Sequence, residues 1–497
     1  MSESGMTDEG AIDNASKSIV EVDYNELIPN NIDLANDARL KKALERWQPK
    51  YVDWWNKAGP EDTRDFEVYL RTAVGVDPKG WAKFGHVKMS DYRWGILLAP
   101  KVAGRTISFG KHKGEPVWQE VPGEYRALLR RLIVIQADTE PASVEQQRYL
   151  SKSAPSLYDM RNLFQVNVEE GRHLWAMVYL LVEYFGRDGR EEAETLLERR
   201  SGDVDKPRIL GAFNEETPDW LSFFMFTHFT DRDGKMQLAA LAESGFDPLS
   251  RSCRFMLTEE AHHMFVGESG IGRIIQRTCE AMNDAGIKDP NDIEAIRSLG
   301  VIDLPTIQKK INFHVAVTLD LFGSELSTNA ATAFIAGIKG RYKETRIDDD
   351  HVLENDTYKV ARVVEGKIVE VEEKAHIAIN ARLLDDYYLE ATGGIGRWNK
   401  IVAKTGCEFQ FSLPYKGFSR KVGVFSEDFI SPCGEVLSEQ EWKDSKSDWL
   451  CDDTDADFIQ ALMRVACTEK GKFAGWIAAP KSGINSQPLE FEYVKIS

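Results

Sequence analysis

Two five-residue stretches, EEGRH at residues 169–173 and EEAHH at residues 259–263, share the pattern Glu-Glu-x-x-His. On an α-helix a spacing of three residues rotates the chain by roughly 300°, so a Glu and the His three positions later lie on one face. Aligning the two stretches selects the second Glu and the last His of each as the repeated pair. These pairs are Glu170 with His173 and Glu260 with His263. Each pair therefore has the spacing that a helix needs to bind one metal ion from one side.

Two other matches to Glu-x-x-His show how little the tetrapeptide means alone. Glu259 and His262 have the same spacing, but they lie outside the register that the repeat sets. Glu373 and His376 lie in a charged segment whose alternation predicts a β-hairpin with a turn at Gly366, and a strand points side chains three residues apart to opposite faces. We therefore exclude both matches from the predicted site.

A carboxylate lies at nearly the same distance before each repeated pair. Glu140 is 30 residues before Glu170, and Asp231 is 29 residues before Glu260. An interval of this length fits a helix, a reversal and a second helix. The resulting order, carboxylate, Glu-x-x-His, carboxylate, Glu-x-x-His, is that of ferritin-like di-iron bundles, whose six ligands point into one core.

Alternatives remain open at both upstream positions. Pro141 discourages helical geometry at Glu140 and predicts a kink or a helix end there, which leaves Asp138 as the other candidate for the first ligand. Near the second carboxylate, Asp233 and His228 compete for the same role.

The predicted metal ligands, which are also the predicted catalytic residues, are Glu140, Glu170, His173, Asp231, Glu260 and His263. Two Fe(II) ions would balance the four carboxylates, so the cluster can lie in a low-dielectric interior. Oxygen ligands with imidazoles suit iron or manganese, whereas a closed zinc site usually includes thiolates. Glu169 and Glu259 are possible hydrogen-bond partners of the histidines, although adjacent helical positions point about 100° apart. A Glu/His core that is paired internally and binds no metal is the alternative interpretation.

Helical periodicity places this pattern in four long segments, at about residues 124–140, 157–187, 219–242 and 248–277. The predicted fold is mainly α: a ferritin-like four-helix bundle with a di-iron core, elaborated by N-terminal helices and a mixed α/β C-terminal region. The expected units are a disordered acidic tail at 1–20, N-terminal helices with a loop-rich cap at 21–122, the bundle at 123–290, and a C-terminal extension packed on the bundle at 291–497.

Three details of these flanking regions are also predicted. A face formed by Trp47, Tyr51, Trp54 and Trp55 predicts a helix packed against the main body. A further helical region is expected at residues 293–341, and the acidic stretch at 444–457 is expected to be a solvated loop.

Composition excludes several classes of protein. With 62 Lys+Arg and 80 Asp+Glu among 497 residues, the net charge is −18, which is too acidic for a general nucleic-acid binder. No run approaches the roughly 18 apolar residues of a membrane span, and the N-terminus lacks the basic and apolar regions of a secretory signal. The six cysteines include no CxxC pair, so neither an iron–sulfur cluster nor a zinc knuckle is expected. These features predict a cytoplasmic protein. The expected state is a monomer or a homodimer, which the sequence does not decide.

Two longer segments carry a family resemblance. They are NVEEGRHLWAMVYLLVEYFGRDGREEAETLLERRSGD at 167–203 and ILGAFNEETPDWLSFFMFTHFTDRDGKMQLAALAESGFDPLSRSCRFMLTEEAHHMFVG at 209–267. They resemble the oxygenase components of the benzoyl-CoA 2,3-epoxidase family, and the likeness extends over most of the chain beyond the acidic tail.

The resemblance implies a specific activity. Members of this family are di-iron monooxygenases that use O2 to convert benzoyl-CoA to 2,3-epoxybenzoyl-CoA in aerobic benzoate degradation. Their electrons come from NADPH through a separate reductase, which carries the FAD and the Fe–S clusters. The family's six ligands, carried over by position, fall on the six residues named above. Basic residues at 416–421 and at 130–131 are candidates for the CoA phosphates.

Other functions remain open at this stage. A related aryl-CoA monooxygenase would share the same motifs. A ribonucleotide reductase small subunit usually has a radical tyrosine seven residues after the first motif's Glu, where this chain has Met177. A ferritin-like iron-binding protein without oxygenase activity would need far fewer residues than this chain, which continues for roughly 200 residues after the second motif.

Overall fold

The computed structural model describes residues 32, 34, 36–59, 65–71, 84–90, 92, 94–341 and 356–496. The α-helices are α1 (Ala38–Ala58), α2 (Arg126–Gln147), α3 (Leu157–Glu198), α4 (Trp220–Ala242), α5 (Asp247–Ala285), α6 (Ile293–Ser298), α7 (Leu304–Leu321), α8 (Thr328–Ile335), α9 (Ile379–Thr405), α10 (Glu439–Trp449) and α11 (Asp453–Leu462). The strands are β1 (Glu67–Arg71), β2 (Phe84–Lys88), β3 (Thr357–Val364), β4 (Lys367–Lys374), β5 (Phe429–Ile430), β6 (Val436–Leu437) and β7 (Val494–Lys495). The predicted disordered tail at 1–20 lies outside the described residues.

Helices α2 to α5 form the bundle, which confirms the predicted ferritin-like helical fold. Helix α2 packs along α3, α4 packs along α5, and α3 also contacts α5. Side-chain caps start α3 and α4: Ser156 accepts a hydrogen bond from the backbone N–H of Asp159, and Asp219 accepts one from the N–H of Ser222. The left-handed backbone of Gly286 ends α5.

Helix α3 lies at the centre of the molecule. Every residue from Leu157 to Val182 is buried, so this part of the helix has no face left for solvent. A helix buried all round is expected to be apolar, yet α3 carries Glu169, Glu170, Arg172 and His173 within one and a half turns. Buried polar groups need partners. Those partners lie on the neighbouring helices and define the candidate site described below.

Three bundle helices are longer than their sequence predicts, and one of them, α5, continues eight residues past its predicted end at 277, to Ala285. Helix α2 continues past Pro141 to Gln147, because the proline removes one backbone donor while burial of the residues around it holds the helical path. Helix α3 continues past Gly186 to Glu198, and Gly186 takes a non-helical conformation (φ 61°, ψ −126°) that bends the helix without ending it.

The C-terminal region confirms one local prediction and corrects two. The hairpin β3–β4 turns at Glu365 and Gly366, both with positive φ, as a tight antiparallel connection requires. The helical region predicted at 293–341 is divided into α6, α7 and α8. The prediction of a loop at 444–457 was wrong, since α10 and α11 occupy most of it. Both helices begin with a capping box, Ser438 with Glu441 and Asp452 with Asp455.

Other elements surround the bundle. Helix α1 and strand β1 pack on α3, α7 packs on α4, and α9 packs on both α5 and α4. Strand β1 lies between β2 and β7, where Val68 pairs with Val87 on one side and with Val494 on the other. The N-terminal region and the last strand of the chain are thus joined in one sheet over α3. Within the described parts of the chain, the helices are too short or too polar to cross a membrane.

Candidate metal centre

The bundle brings all six predicted ligands into one buried cluster. Each of them is at most 6% exposed: Glu140 on α2, Glu170 and His173 on α3, Asp231 on α4, and Glu260 and His263 on α5. Two groups of three, Glu140 with Glu170 and His173, and Glu170 with Glu260 and His263, have ligand atoms within 4.8 Å of one another. The helices that carry the Glu-x-x-His pairs are α3 and α5, as the spacing predicts.

One half of the cluster surrounds His173. Its Nδ1 lies 3.3 Å from Glu140 Oε2, 3.7 Å from Glu170 Oε2 and 3.7 Å from Glu260 Oε1. Three carboxylates from three helices therefore face the same ring nitrogen.

The other half surrounds His263. Its Nδ1 lies 3.3 Å from Glu170 Oε1, 3.7 Å from Asp231 Oδ2 and 3.7 Å from Glu260 Oε2. The two imidazole rings are 6.2 Å apart between centroids.

Glu170 and Glu260 connect the two halves. Each of these carboxylates places one oxygen near Nδ1 of His173 and its second oxygen near Nδ1 of His263. Glu140 approaches only the first half and Asp231 only the second, as far as the ion pairs within 4.0 Å show. The arrangement has two shared carboxylates, two terminal carboxylates and one imidazole at each end.

The first Glu of each motif contacts the histidine of the other motif. Nε2 of His263 lies 3.1 Å from Glu169 Oε2, and Nε2 of His173 lies 2.9 Å from Glu259 Oε2. Glu169 and Glu259 are therefore buried hydrogen-bond partners of the histidines, and the pairing is crossed between the two stretches. These bonds hold each ring with Nδ1 towards the carboxylate cluster.

Cations neutralise these two outer carboxylates. Arg71 donates to Glu169 Oε1 at 2.6 Å, and Gln165 donates to the same oxygen at 2.6 Å. Arg172 forms an ion pair with Glu259. Arg71 and Arg172 therefore balance the charges of Glu169 and Glu259, whereas among the described residues the two histidines are the only ion-pair partners of the four inner carboxylates.

The pKa values reflect this difference. Burial raises the pKa of Asp231 to about 7 and that of Glu260 to about 8, and burial beside the other carboxylates raises the pKa of Glu170 well above its ordinary value. Burial opposes ionisation of Glu169 as well, but Arg71 and His263 hold its pKa well below the ordinary value. Glu140 is the exception among the inner carboxylates, because burial opposes its ionisation but the hydrogen bond with His173 lowers its pKa. The other three inner carboxylates lack the positive charge that Arg71 and Arg172 give to the outer ones.

Three buried ligand atoms have no hydrogen-bond partner within the described structure. They are Asp231 Oδ2, Glu260 Oε2 and His263 Nδ1. Buried polar atoms without partners are rare in proteins and demand an explanation such as an ion. Oxygen and imidazole donors that converge on two positions fit divalent cations of the iron or manganese type.

The residues that the sequence offered as alternative ligands have other contacts, away from the cluster. Asp138 binds Arg208 Nη1 at 3.1 Å and the backbone N–H of Ile209 at 2.6 Å, so it is turned away from the cluster. Asp233 accepts a hydrogen bond from Gln237, and His228 packs on Trp398. In the excluded match at Glu373 and His376, Glu373 pairs with Arg362 on the hairpin.

The cationic residues considered for CoA phosphates are largely engaged within the protein. Arg420 is buried and pairs with Asp320 at 2.8 Å and Glu325 at 3.2 Å. Arg130 pairs with Asp188 at 2.8 Å. These contacts account for the charge of both arginines without a ligand.

Sequence reasoning missed the residues that support the cluster. Gln136 donates to Glu140 Oε1 at 2.8 Å and Gln165 donates to Glu169, and both glutamines precede their partner by four residues, a spacing that was visible in the sequence. Arg71 is 98 positions from Glu169, and no local pattern connects them.

The fold and the cluster define a ferritin-like helical protein whose bundle core could hold metal ions. Family models give no match to the chain. The chain is 61% identical over 476 residues, 96% of its length and 100% of the relative's, to benzoyl-CoA oxygenase component B of Aromatoleum evansii. It therefore belongs to the benzoyl-CoA oxygenase component B family.

Proposed function

We propose that this chain is an oxygenase component that epoxidises the ring of benzoyl-CoA with O2, giving 2,3-epoxybenzoyl-CoA, at a di-iron centre. The observation that carries the proposal is the placement of Glu170 and Glu260, each with one oxygen towards each histidine. Two cation positions that share two carboxylates are what a di-iron carboxylate centre requires. The relative's name supplies the substrate, benzoyl-CoA, and the class of reaction, oxygenation.

The donor set fits two irons in their reduced state. Glu140 and His173 would hold one ion, Asp231 and His263 would hold the other, and the two shared glutamates would bind both. Four carboxylates and two divalent ions are neutral together, which removes the cost of burying unpaired charge. When bound, the irons supply the redox chemistry that activates O2.

The protein's own residues prepare this site in two ways. The crossed bonds from Glu169 and Glu259 fix the tautomer of each histidine, because a ring nitrogen that donates its proton outward leaves the other nitrogen as a lone pair facing the cluster. Burial of all six ligands to 6% exposure or less limits water at the reacting positions.

The electrons need a partner protein. The designation of the relative as component B implies a second component. This chain's six cysteines contain no CxxC pair, so they offer no iron–sulfur motif. We therefore propose a separate reductase that takes electrons from NADPH through FAD and Fe–S clusters. A cytoplasmic location and a monomeric or dimeric state also remain predictions.

Iron content combined with a single turnover tests the proposal. The full chain is loaded with Fe(II), reduced chemically, and mixed with O2 and benzoyl-CoA, and the product is analysed by mass spectrometry. We expect about two irons per chain and a product that has gained one oxygen atom. Two irons without that product would favour a different aryl-CoA or an iron-binding protein without oxygenase activity. A folded chain that binds no iron would refute the metal centre.

A further inference from the structure

Aromatic side chains in mutual contact lead from the metal motif on α3 to the surface. We define the aromatic column as Trp94, Tyr51, Trp175 and Trp47. The ring centroids of Trp94 and Tyr51 are 4.8 Å apart, those of Tyr51 and Trp175 are 5.0 Å apart, and Trp47 lies 5.0 Å from both Tyr51 and Trp175. All four side chains are at most 5% exposed.

The inner end of the column touches the motif itself. The Tyr51 hydroxyl donates to the carbonyl oxygen of Gly171 at 2.6 Å. A Cβ atom at Gly171 would lie only 2.7 Å from Trp94 Nε1, so glycine is what allows the indole to reach the backbone between Glu170 and Arg172. The second motif has Ala261 at the equivalent position.

A second connection runs through side chains. Tyr92 lies 5.3 Å from Trp94 between ring centroids, and its hydroxyl accepts a hydrogen bond from Arg172 at 3.3 Å. Arg172 pairs with Glu259, which is the partner of His173 Nε2. The column thus meets the candidate centre both at the ligand-bearing backbone and at the outer hydrogen bond of a ligand.

The outer end of the column opens on a positively charged cleft. Trp47 lines a cavity of about 660 Å³ between α1 and the bend of α3. The charged residues around this cavity are Arg39, Lys42, Arg46, Arg187 and Arg190, against Glu191 and Glu194. Arg39 pairs with Glu183 at 3.4 Å and Arg187 pairs with Glu191 at 2.7 Å, and the remaining cations leave the lining positive, so on a protein with a net charge of −18 this cleft can attract a small anion.

Packing alone needs apolar volume at these positions, which Leu or Phe would supply. Indole and phenol rings, like thiols, are the side chains that lose an electron most readily. The column differs from ordinary packing because such rings stay in contact from the motif to the cleft. We propose that the aromatic column conducts oxidising equivalents from the metal centre to the cleft when O2 is activated without substrate. This inference rests on the proposed function, because the centre is the oxidant.

The electron balance is simple, since no bond forms or breaks inside the column. One electron passes inward from Trp94 to the oxidised centre, and the missing electron is then replaced from Tyr51, which draws on Trp47 directly or by way of Trp175. The indole N–H of Trp47 donates to the carbonyl oxygen of Ala193 at 3.1 Å, which holds its proton in place. A small anionic reductant of the ascorbate class, attracted by the cleft, returns the electron to Trp47. The result is one-electron reduction of the centre without damage to its ligands.

The experiment uses the full chain loaded with Fe(II), reduced, and exposed to O2 without any aryl-CoA or reductant. Electron paramagnetic resonance of rapidly frozen samples detects an organic radical, and mass spectrometry of peptides locates oxygen added to tryptophan. We expect the radical and the added oxygen at Trp47 in the iron-loaded chain and neither in the metal-free chain, and ascorbate should remove both. Iron content and O2 consumption are measured on the same samples.

Three variants separate conduction from packing. Tyr51→Phe keeps an aromatic ring but interrupts the column, because Tyr51 is the ring that contacts Trp94, Trp175 and Trp47, and we expect loss of the oxygen added at Trp47. Trp47→Phe shortens the column, and we expect the modification to move inward to Trp94 or Trp175. Trp220→Phe is the matched control, because Trp220 is fully buried and packs on Phe223 and Phe224 outside the column.

Each outcome decides between the proposals. Oxygen addition at Trp47 that persists in Tyr51→Phe, or that is equally strong at Trp220, overturns the conduction role. Iron binding with O2 consumption but no radical and no modified tryptophan overturns it as well, and leaves the metal centre intact. A folded chain that takes up no iron refutes the proposed function, and the column has then no oxidant to serve.

Discussion

The crossed hydrogen bonds of the two motifs can be tested with Glu169→Gln. The carboxylate of Glu169 accepts from Arg71 and Gln165 on Oε1 and from His263 Nε2 on Oε2. The amide of a glutamine has one acceptor oxygen, so its NH2 group must face one of these donors and leave it unpaired.

The magnitude follows from burial. The side chain of Glu169 is fully buried and that of Arg71 is 15% exposed, so the variant breaks a largely buried ion pair at a cost of about 3 kcal/mol in the free energy of unfolding. Loss of a histidine's outer carboxylate typically weakens metal binding by roughly 10- to 100-fold. Because Glu169 contacts His263, we expect this loss at the ion bound by the second motif, and the first ion should bind almost normally.

Iron titration with a competing chelator, followed by urea unfolding of the metal-free chain, measures both effects. A double-mutant cycle shows which ion Glu169 affects. Added to His263→Ala, Glu169→Gln should cause little further loss of iron affinity, whereas added to His173→Ala it should remove the remaining tight site. Glu373→Gln, which removes charge from the ion pair with Arg362 on the hairpin, is the control and should change neither quantity appreciably. The crossed arrangement would be refuted if Glu169→Gln bound both ions as tightly as the unchanged chain. It would also be refuted if Glu169→Gln weakened the ion held by His173 and not the ion held by His263.

Three further predictions follow from the same geometry. His263→Ala should lower iron content and abolish turnover while circular dichroism shows the helices retained, and wild-type activity would contradict the assignment; Glu373→Ala should leave iron content unchanged. In the metal-free chain, the raised pKa values of Asp231 (about 7) and Glu260 (about 8) mean that these two groups bind more protons in the folded than in the unfolded state, so the free energy of unfolding should fall as pH rises from about 6.5 to 8, above the range in which buried histidines such as His262 and His314 oppose this slope. Urea titrations at several pH values check this fall, which should disappear in the iron-loaded chain; a stability that rises towards pH 8 would contradict it. Gly171→Ala places a methyl group 2.7 Å from the Trp94 indole and should cost about 1–3 kcal/mol in unfolding free energy, visible as a lower Tm, whereas an unchanged Tm would show that the contact relaxes freely.

Local spacing explains what the sequence predicted well. Glu170 and His173 share a face because a helix of 3.6 residues per turn brings positions three apart together, whatever surrounds it. The repeat of this pattern with an upstream carboxylate was therefore enough to predict the bundle and the six residues that the structure brings together. The same logic could have found the capping box of Ser438 and Glu441, which starts a helix where we expected a loop.

Predictions from local helix propensity failed where burial of the side chains outweighs that propensity. Pro141 predicts the end of a helix, but α2 continues for six residues beyond it because the flanking side chains are buried in the bundle. The choice between Glu140 and Asp138 was open for the same reason. It depends on which side of α2 faces α3, and Arg208, which binds Asp138, comes from a distant loop.

The sequence by itself determined the four bundle helices, their order and the chemistry of the donor set, because these depend on residue types and on spacings within one turn. Only the tertiary structure decided that Glu169 contacts His263 and that Glu259 contacts His173, across 94 and 86 positions of the chain. It also decided that Trp94 and Tyr51 meet at Gly171. Contacts between helices depend on how the helices pack against each other, and that packing is fixed by the shape and burial of the whole core rather than by any local pattern.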